Sequence, residues 1–311
     1  MVDLLVEVGH EVIVLDNFSI GRPENLEHLG NKIKIHKCEL SQKGSWVEYF
    51  KNIDYVFHLA ALADIVPNIT NPKEYFNSNV IATFNVIEAC KANNVKKIIY
   101  TASSSCYGIP NEYPTNEESP INPQYPYALT KRLGEEIILH WEKIYNINAI
   151  SCRLFNVYGT RSRTSGTYVA VFGISLAHKL AKKTFTIVGD GTQTRDFTYV
   201  TDVASALLAC ALSAKSGEVY NIGSGKTISI NYLVNLLNGK KTFIPKRPGE
   251  PDCAFANIQK IKNDLNWQAN ITIEEGVRFV LNEIDYWKNA PVWTPTKIDE
   301  ATKEWFNYLK L

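Results

Sequence analysis

Lys97-Ile98-Ile99-Tyr100-Thr101-Ala102-Ser103-Ser104-Ser105-Cys106-Tyr107-Gly108 opens on a run of apolar and β-branched side chains and closes on three consecutive hydroxyls. An apolar run that does not alternate reads as a strand covered on both faces, the usual condition inside a parallel sheet. Residues 12–15, ending in Asp16, residues 54–60 and residues 149–154 share that texture. Helical patterns over 72–93 and 126–145 separate them. Strands that alternate with helices predict an α/β fold, a Rossmann-like doubly wound parallel sheet with helices on both faces. Ligands of such sheets bind beyond the carboxyl ends of the strands, where the 103–105 hydroxyls fall.

The beginning departs from that plan. An open dinucleotide fold starts with a strand, a glycine-rich turn and a helix whose N-terminus holds a pyrophosphate. Here residues 1–8 read as the end of a helix, Gly9-His10 as its stop, and 12–15 as the second strand. The expectation is a sheet lacking its first strand, with about 15–20 residues absent by element length. A misassigned start site is favoured over a truncated gene, because everything downstream reads as intact.

Beyond Gly159 the texture changes. Residues 161–166 read as a polar loop, 189–191 as a turn and 246–252 as a Pro/Gly-rich loop. The expected division is a dinucleotide-binding unit over 1–158 and a smaller mixed α/β substrate unit over 159–311, with 196–223 returning to the first. Composition excludes several classes. The 311 residues are 45% hydrophobic and 21% charged with net charge +1, an ordinary globule without a field for nucleic acid or acidic membrane. Six scattered cysteines without CxxC suit reduced thiols, and six dispersed histidines give no metal spacing. No apolar stretch approaches a membrane span and no leader is visible, so the chain is expected to be cytoplasmic.

The chemistry centres on Tyr127-Ala128-Leu129-Thr130-Lys131. Taken alone, a YxxxK pentapeptide is more often a core Tyr and a solvated Lys. On a helix the two side chains share a face at i,i+4, and the hydroxyl cluster 24 residues upstream gives them a partner across one crevice. For the cluster the bland alternative is a polar turn with local backbone bonds. Asp16, at a strand end, suits the adenosine ribose hydroxyls and favours NAD over NADP, whose 2′-phosphate it would repel. Ala60 and Ala61, in His58-Leu59-Ala60-Ala61-Leu62-Ala63, let a cofactor approach closely, while His58 reads as structural.

Residues 11–311 resemble an extended short-chain dehydrogenase/reductase of the NAD-dependent epimerase/dehydratase kind. The resemblance lies in Leu15-Asp16-Asn17, His58–Ala61, the serine cluster, Tyr127–Lys131, Arg153-Leu154-Phe155-Asn156, Arg195-Asp196-Phe197 and Tyr220-Asn221-Ile222-Gly223. It implies Tyr127 as base, Lys131 as its electrostatic helper and nicotinamide-ribose ligand, and Ser103 as hydrogen-bonding partner of the reacting hydroxyl. It further implies NAD contacts from Asp16, Asn17, Glu39, Leu40, Leu59, Ala60, Ala61, Asn79 and Phe155, with Glu39 near the adenine. UDP-sugar contacts would come from Ser103, Ser104, Ser105, Asn156, Arg195, Arg247, Glu250 and Ala254. The helices over 72–93 and 126–145 resemble the pair through which the family forms homodimers.

The implied activity is 4-epimerisation of a UDP-hexose through a 4-keto sugar. Family 4,6-dehydratases carry an Asp-Glu pair where this chain has Ser104 and Ser105, and a hydroxyl pair cannot serve as that acid and base. Decarboxylation, 2-epimerisation and 4-keto reduction stay open, as does a truncated non-catalytic remnant. Small Ala254 leaves room for an N-acetyl group beside the sugar. For Tyr127, ionisation near neutrality from an ordinary value of about 10 requires about 4 kcal/mol of favourable interaction, expected from Lys131 and a positive nicotinamide. Gly223-Ser224-Gly225-Lys226-Thr227 ends like a P-loop, but position 220 is Tyr rather than Gly. Asn68-Ile69-Thr70 and Asn270-Ile271-Thr272 are glycosylation sequons without meaning in a cytosolic chain.

Overall fold

The computed structural model describes residues 1–164 and 171–309, so the loop expected over 161–166 lies partly outside the described residues. Four parallel strands carry the centre: β3 (Tyr55–His58), β4 (Lys97–Ser103), β5 (Ala149–Leu154) and β10 (Glu218–Ile222), in the order β10-β5-β4-β3. Before them in the chain, β1 (Val12–Asp16) and β2 (Ile33–Lys37) form a separate parallel pair.

Every residue of β4 is buried, as its unbroken apolar run requires. The pleat sends successive side chains to opposite faces. Ile98 and Tyr100 pack with Val86, Ile87, Cys90 and Ile138, whereas Ile99 packs with Ile150, Cys152, Leu207 and Tyr220. Full burial of each such aliphatic chain contributes about 1.5–3 kcal/mol. Helix α1 (Val2–Glu7) lies beside β1, and the first layer comes from α2 (Pro67–Thr70), α3 (Pro72–Phe76), α4 (Ala82–Ala92) and α5 (Pro126–Tyr145), with α4 and α5 on β4. The opposite face is covered by α7 (Val200–Leu212), which follows α6 (Val171–Leu180) in the chain. Residues 200–222 therefore add a helix and a strand to the sheet formed by the first half.

No strand joins β1 to β3 among the described residues. A cleft of about 970 Å³ runs between them, lined by Val12–Asp16 on one wall and Tyr55–His58 on the other. Both strands are only partly buried, unlike β4, because each presents a free edge to this cleft.

The helix predicted over 72–93 contains a wide turn at Asn77–Ile81 between α3 and α4. Asn79 causes no break in packing there. Its amide accepts from Leu62 N–H at 2.8 Å and donates to Leu62 O and Thr130 Oγ1, each at 3.0 Å. Helix α5 approaches the sheet at Gly134, where a Cβ would lie 2.2 Å from the Tyr100 hydroxyl. One position on, Glu135 meets Arg153 of β5 with Nη2 and Nε at 2.7 and 3.0 Å, and Ser151 Oγ donates at 2.8 Å. Burial alone would raise the Glu135 carboxyl, but Arg153 and Ser151 hold it below its ordinary value. Arg153 also donates to the Tyr107 hydroxyl at 2.7 Å, and Tyr107 donates to Asn221 Oδ1 at 2.8 Å.

The remaining strands are short. β6 (Asn156–Tyr158) pairs with β9 (Phe197–Tyr199), β7 (Phe185–Val188) with β12 (Lys241–Ile244), and β8 (Thr194–Arg195) lies between β11 (Ile228–Ser229) and β13 (Cys253–Ala254). Helices α8 (Ile230–Leu236), α9 (Gln259–Leu265), α10 (Ile273–Asn282) and α11 (Pro295–Tyr308) complete the chain. A second core, containing Tyr158, Phe172, Phe185, Leu233, Val277 and Trp287, holds most of this region together.

Arg153→Met would leave the buried Glu135 carboxylate with Ser151 and the more exposed Arg132 as its remaining partners. Breaking a buried pair from one side costs about 3–5 kcal/mol. Urea unfolding of this variant is expected to show a loss of that size, and a loss below about 1 kcal/mol would show the pair to be dispensable.

Candidate active site

Ser103 ends β4, and the chain turns at once through the 3₁₀ segment Ser104–Tyr107. The Ser105 N–H donates to Ser103 Oγ at 3.2 Å, capping that turn and fixing the hydroxyl at the carboxyl edge of the sheet. Tyr127 is the second residue of α5, and its hydroxyl hydrogen-bonds with the Ser103 side chain. The start of α5 is held from another loop: Asn68, wholly buried, accepts the Tyr127 N–H through Oδ1 at 3.1 Å. Lys131 follows one turn later, 4% exposed, with Nζ 4.5 Å from the centre of the Tyr100 ring. Strand end and helix start thus bring Ser103, Tyr127 and Lys131 to one crevice of about 660 Å³.

Burial dominates the electrostatics. It pushes Lys131 down to about 7, with Glu135 opposing only in part. It also pushes the Tyr127 phenol up, against the hydrogen bond from Ser103. The expectation joined Lys131 to a positive nicotinamide in lowering Tyr127; in the protein alone, burial dominates. In the protein alone both groups are driven toward their neutral forms, because the low-dielectric pocket penalises each charge. His58 is buried beside Thr83 at 2.9 Å and falls to about 3, chiefly through burial, so it is a neutral structural residue.

Apart from Tyr127 and Lys131 at the second crevice, the residues expected to hold NAD lie, with two exceptions, along the cleft between β1 and β3. Asp16, Asn17, Glu39, Leu40, Leu59, Ala60 and Ala61 all line it. Asn17 Nδ2 donates to Glu39 Oε2 at 2.7 Å, and Ser41 donates to Glu39 Oε1 from both its N–H and its hydroxyl. Asp16 Oδ1 accepts the Phe18 N–H at 2.7 Å, and a Cβ on Gly21 would sit 2.7 Å from Oδ2, so a larger residue there would have to displace this carboxylate. A carboxylate at a strand end, a small-residue wall at Ala60–Ala61 and apolar flanks fit the adenosine half of a dinucleotide. No glycine-rich strand-to-helix turn faces the cleft among the described residues.

Phe155 is one exception and lines the second crevice instead. Asn79 is the other, and here the structure departs from the expected direct contact. It lines neither cavity, is 1% exposed, and its amide is taken by Leu62 and Thr130. It braces the 59–64 loop against α5.

The expected substrate contacts gather in the second crevice: Ser103, Ser104, Ser105, Asn156, Arg195, Arg247, Glu250 and Ala254 all line it. Arg247 Nη2 pairs with Glu250 at 2.8 Å. Arg195 is lowered from its ordinary value mainly by burial; Glu250 opposes that shift, and Arg247 adds a smaller repulsion. Two guanidiniums sharing one carboxylate leave positive charge suited to a diphosphate. The two cavities share Ile20, Leu59, Ala61 and Arg163. Arg163 pairs with Asp64 at 2.6 Å on that boundary.

Three features were not legible as site residues. Asn68 was visible only as part of a sequon. Asp64 and Arg163 stand 99 positions apart with no motif to link them. Tyr125 carried one faint signal, its place two residues before Tyr127 across Pro126, a spacing that puts both rings on one side of extended chain.

Topology and site together are those of the extended short-chain dehydrogenases/reductases. Within that class, the chain belongs to the NAD dependent epimerase/dehydratase family, whose model matches residues 1–223. It is 35% identical to a putative UDP-glucose 4-epimerase of Methanocaldococcus jannaschii, over 91% of this chain and 93% of the relative. It superposes with a TM-score of 0.84 and 30% identity on the UDP-N-acetylglucosamine 4-epimerase from Methanobrevibacter ruminantium M1 in complex with UDP-N-acetylmuramic acid, covering 91% and 94% of the two chains. The UDP-glucuronic acid 4-epimerase from Bacillus cereus, in complex with UDP-glucuronic acid and NAD, matches with a TM-score of 0.83 and 29% identity over 92% and 94%.

Lys131 binds fewer protons folded than unfolded between pH about 7 and its ordinary value of 10.5. Unfolding free energy therefore rises with pH across that window. Relative to Lys131→Met, the wild type is expected to gain about 1 kcal/mol per pH unit between pH about 7.5 and about 9.5. Parallel urea-derived stability curves for the two proteins would contradict a buried, depressed ammonium.

Proposed function

We propose that the protein is an NAD-dependent UDP-sugar 4-epimerase, acting on UDP-glucose/UDP-galactose or their N-acetyl forms. The observation that carries this reading is the convergence of Ser103, Tyr127 and Lys131 at the crevice that Arg195 and Arg247 also line. Tyr127 takes the proton of the sugar 4-hydroxyl and later returns it, Ser103 hydrogen-bonds the same oxygen, and Lys131 supplies positive charge beside the ribose. NAD, when bound, supplies a reversible acceptor for hydride from C4 and a positive ring near Tyr127. Asp16 and Glu39 would hold its adenosine end, and Lys131 its nicotinamide ribose. Arg195, Arg247, Glu250 and Asn156 would take the diphosphate and ribose of the UDP moiety. The 1–158 unit, with 196–223, would serve the cofactor and the rest the sugar nucleotide.

Hydroxyls at 104 and 105 support epimerisation over 4,6-dehydration, since a dehydratase needs groups that give and take protons across C5–C6. Ala254 borders the crevice and is compatible with a 2-acetamido substituent. We place the protein in the cytoplasm: all six cysteines are free, and no helix among the described residues is long and apolar enough to cross a membrane. Exposed Phe76, Phe84 and Leu129 on the α3–α5 surface support a homodimer through those helices.

Tyr127→Phe is expected to keep UDP binding in calorimetry while kcat falls by about 10²–10⁴. A kcat equal to the wild type would remove the base from the mechanism. UDP-glucose, UDP-N-acetylglucosamine and UDP-glucuronate in competition assign the sugar.

A further inference from the structure

A dinucleotide bound as proposed has to pass from one cavity into the other. Asp16 and Glu39 line the cleft between β1 and β3, whereas Ser103, Tyr127 and Lys131 line the second crevice. The residues common to both are Ile20, Leu59, Ala61 and Arg163. NAD joins its two ribosyl halves through a pyrophosphate. With the adenosine at Asp16 and the nicotinamide ribose at Lys131, the two phosphates have to fall on this boundary. Three of its residues are apolar, and Arg163 alone carries charge.

Arg163 has donors to spare. A guanidinium offers five N–H groups. Among the described residues Arg163 makes one hydrogen bond, from Nη1 to Asp64 Oδ2 at 2.6 Å, and its Nε, shut off from solvent, has no partner. The side chain as a whole is still 28% exposed, against 15% for Asp64. Asp64 lines the second crevice but not the cleft, and its carbonyl accepts the Tyr75 hydroxyl at 2.6 Å. Pairing with Asp64 therefore spends only part of the guanidinium. An oxyanion at the boundary would meet the remainder through charge-assisted bonds.

The chain on either side of Arg163 is pinned from the cofactor side. Arg22 Nη1 donates to Thr164 Oγ1 at 3.0 Å. Arg161 donates to Asn25 O at 3.0 Å, and the Asn25 amide donates back to Arg161 O at 3.3 Å. Tyr286 donates its hydroxyl to Asn25 Oδ1 at 2.9 Å, and its ring carries the Arg22 guanidinium at 4.5 Å. The segment after β1 and the chain after β6 thus hold each other at positions 161 and 164, with Arg163 between. A cation on a fixed backbone loses less freedom when a ligand arrives.

Resting on the reading of the cleft as the NAD site, we infer that Arg163 is a cofactor-binding residue that takes the pyrophosphate where the dinucleotide crosses between the cavities. Arg195 and Arg247 line the second crevice only and stay with the sugar nucleotide. The chain thereby assigns separate cations to its two diphosphates.

Calorimetry on the full chain tests this with adenosine, ADP-ribose, NAD and UDP as ligands. Adenosine is uncharged, and ADP-ribose adds the pyrophosphate to the same nucleoside. Arg163→Gln keeps an amide that can reach Asp64 and removes the charge. It is expected to weaken ADP-ribose and NAD by about 10- to 100-fold, the worth of a hydrogen bond to a charged group, and to leave adenosine and UDP unchanged. Arg163→Lys keeps the charge without the planar fork and should recover part of the loss, which a folding defect would not allow. Raising NaCl from about 0.05 to about 0.5 M should erode ADP-ribose affinity more in the wild type than in Arg163→Gln, because the contact is ionic. Unchanged ADP-ribose affinity in Arg163→Gln, an equal loss for adenosine, or a loss confined to UDP overturns the inference. A wild type that binds neither adenosine nor ADP-ribose overturns instead the reading of the cleft as the NAD site.

Discussion

The site depends on a carboxylate and a guanidinium that have left water together. Glu135 and Arg153 join α5 to β5 one turn beyond Lys131, and the same guanidinium reaches Tyr107 in the turn that follows Ser103. Desolvating either partner alone would be expensive, so the pair tolerates only the arrangement in which both are met. That arrangement sets the height of α5 over the sheet and the course of the 104–107 turn at once. Tyr127 and Lys131 belong to the helix, Ser103 to the strand end, and their meeting follows from the pair and from the glycine contact at Gly134. A dry salt bridge is weak evidence for stability in general. Here its value is geometric, because it ties the three elements that must converge.

Burial that builds the site also biases its protons. Lys131 is carried toward a neutral amine and Tyr127 toward a neutral phenol, each by loss of water. Neither residue can simply charge the other: an ammonium that half-deprotonates near neutrality is a modest stabiliser of a phenolate. The protein's fixed contributions are the Ser103 side chain beside Tyr127 and the negative charge of Glu135, which favours the charged lysine. Positive charge that arrives with a bound nicotinamide ring then matters more than the YxxxK spacing suggests. The neutral resting state keeps the site from storing two unpaired charges in the absence of ligand.

Much of the plan was legible because buried strands and catalytic motifs leave contiguous signals. The 97–108 stretch announces both a strand covered on two faces and the hydroxyls at its end, and the structure places them so. Tyr127 and Lys131 needed only helical spacing. What escaped was tertiary. Asn79 has the residue type and position of a ligand contact, but its amide is consumed by Leu62 and Thr130, partners 17 and 51 positions away. The wide turn at Asn77–Ile81 escaped for the same reason, since apolar periodicity does not register a side chain caught by a neighbouring loop. Asn68 belongs to a tripeptide whose familiar meaning concerns the outside of a protein, yet it is wholly buried against the start of α5. The raised phenol of Tyr127 could not be read from spacing either, because spacing says nothing about solvent.

The cleft between β1 and β3 shows how unevenly a site can be supported. At its carboxyl end, Leu15 and Cys38 pack against a core that includes Leu40, Trp46, Phe50 and Val86. There Cys38 N–H also donates to Asp16 O at 3.0 Å, and Asn85 donates to Leu40 O at 2.8 Å. Asp16 and Glu39 are thus anchored to α4 through side chains that share the main core. Toward the amino end the walls are Val12, Leu5, Tyr55 and Leu212, apolar groups that face the cleft itself. Near this end, α1 is tied to the chain after β6 by an exposed ion pair, Arg161 with Asp3 at 2.8 Å, worth at most about 1 kcal/mol. Rigidity is therefore concentrated at the strand ends that carry the carboxylates, where a ribose would need a fixed acceptor. The apolar half contributes surface that gains stability only when something covers it.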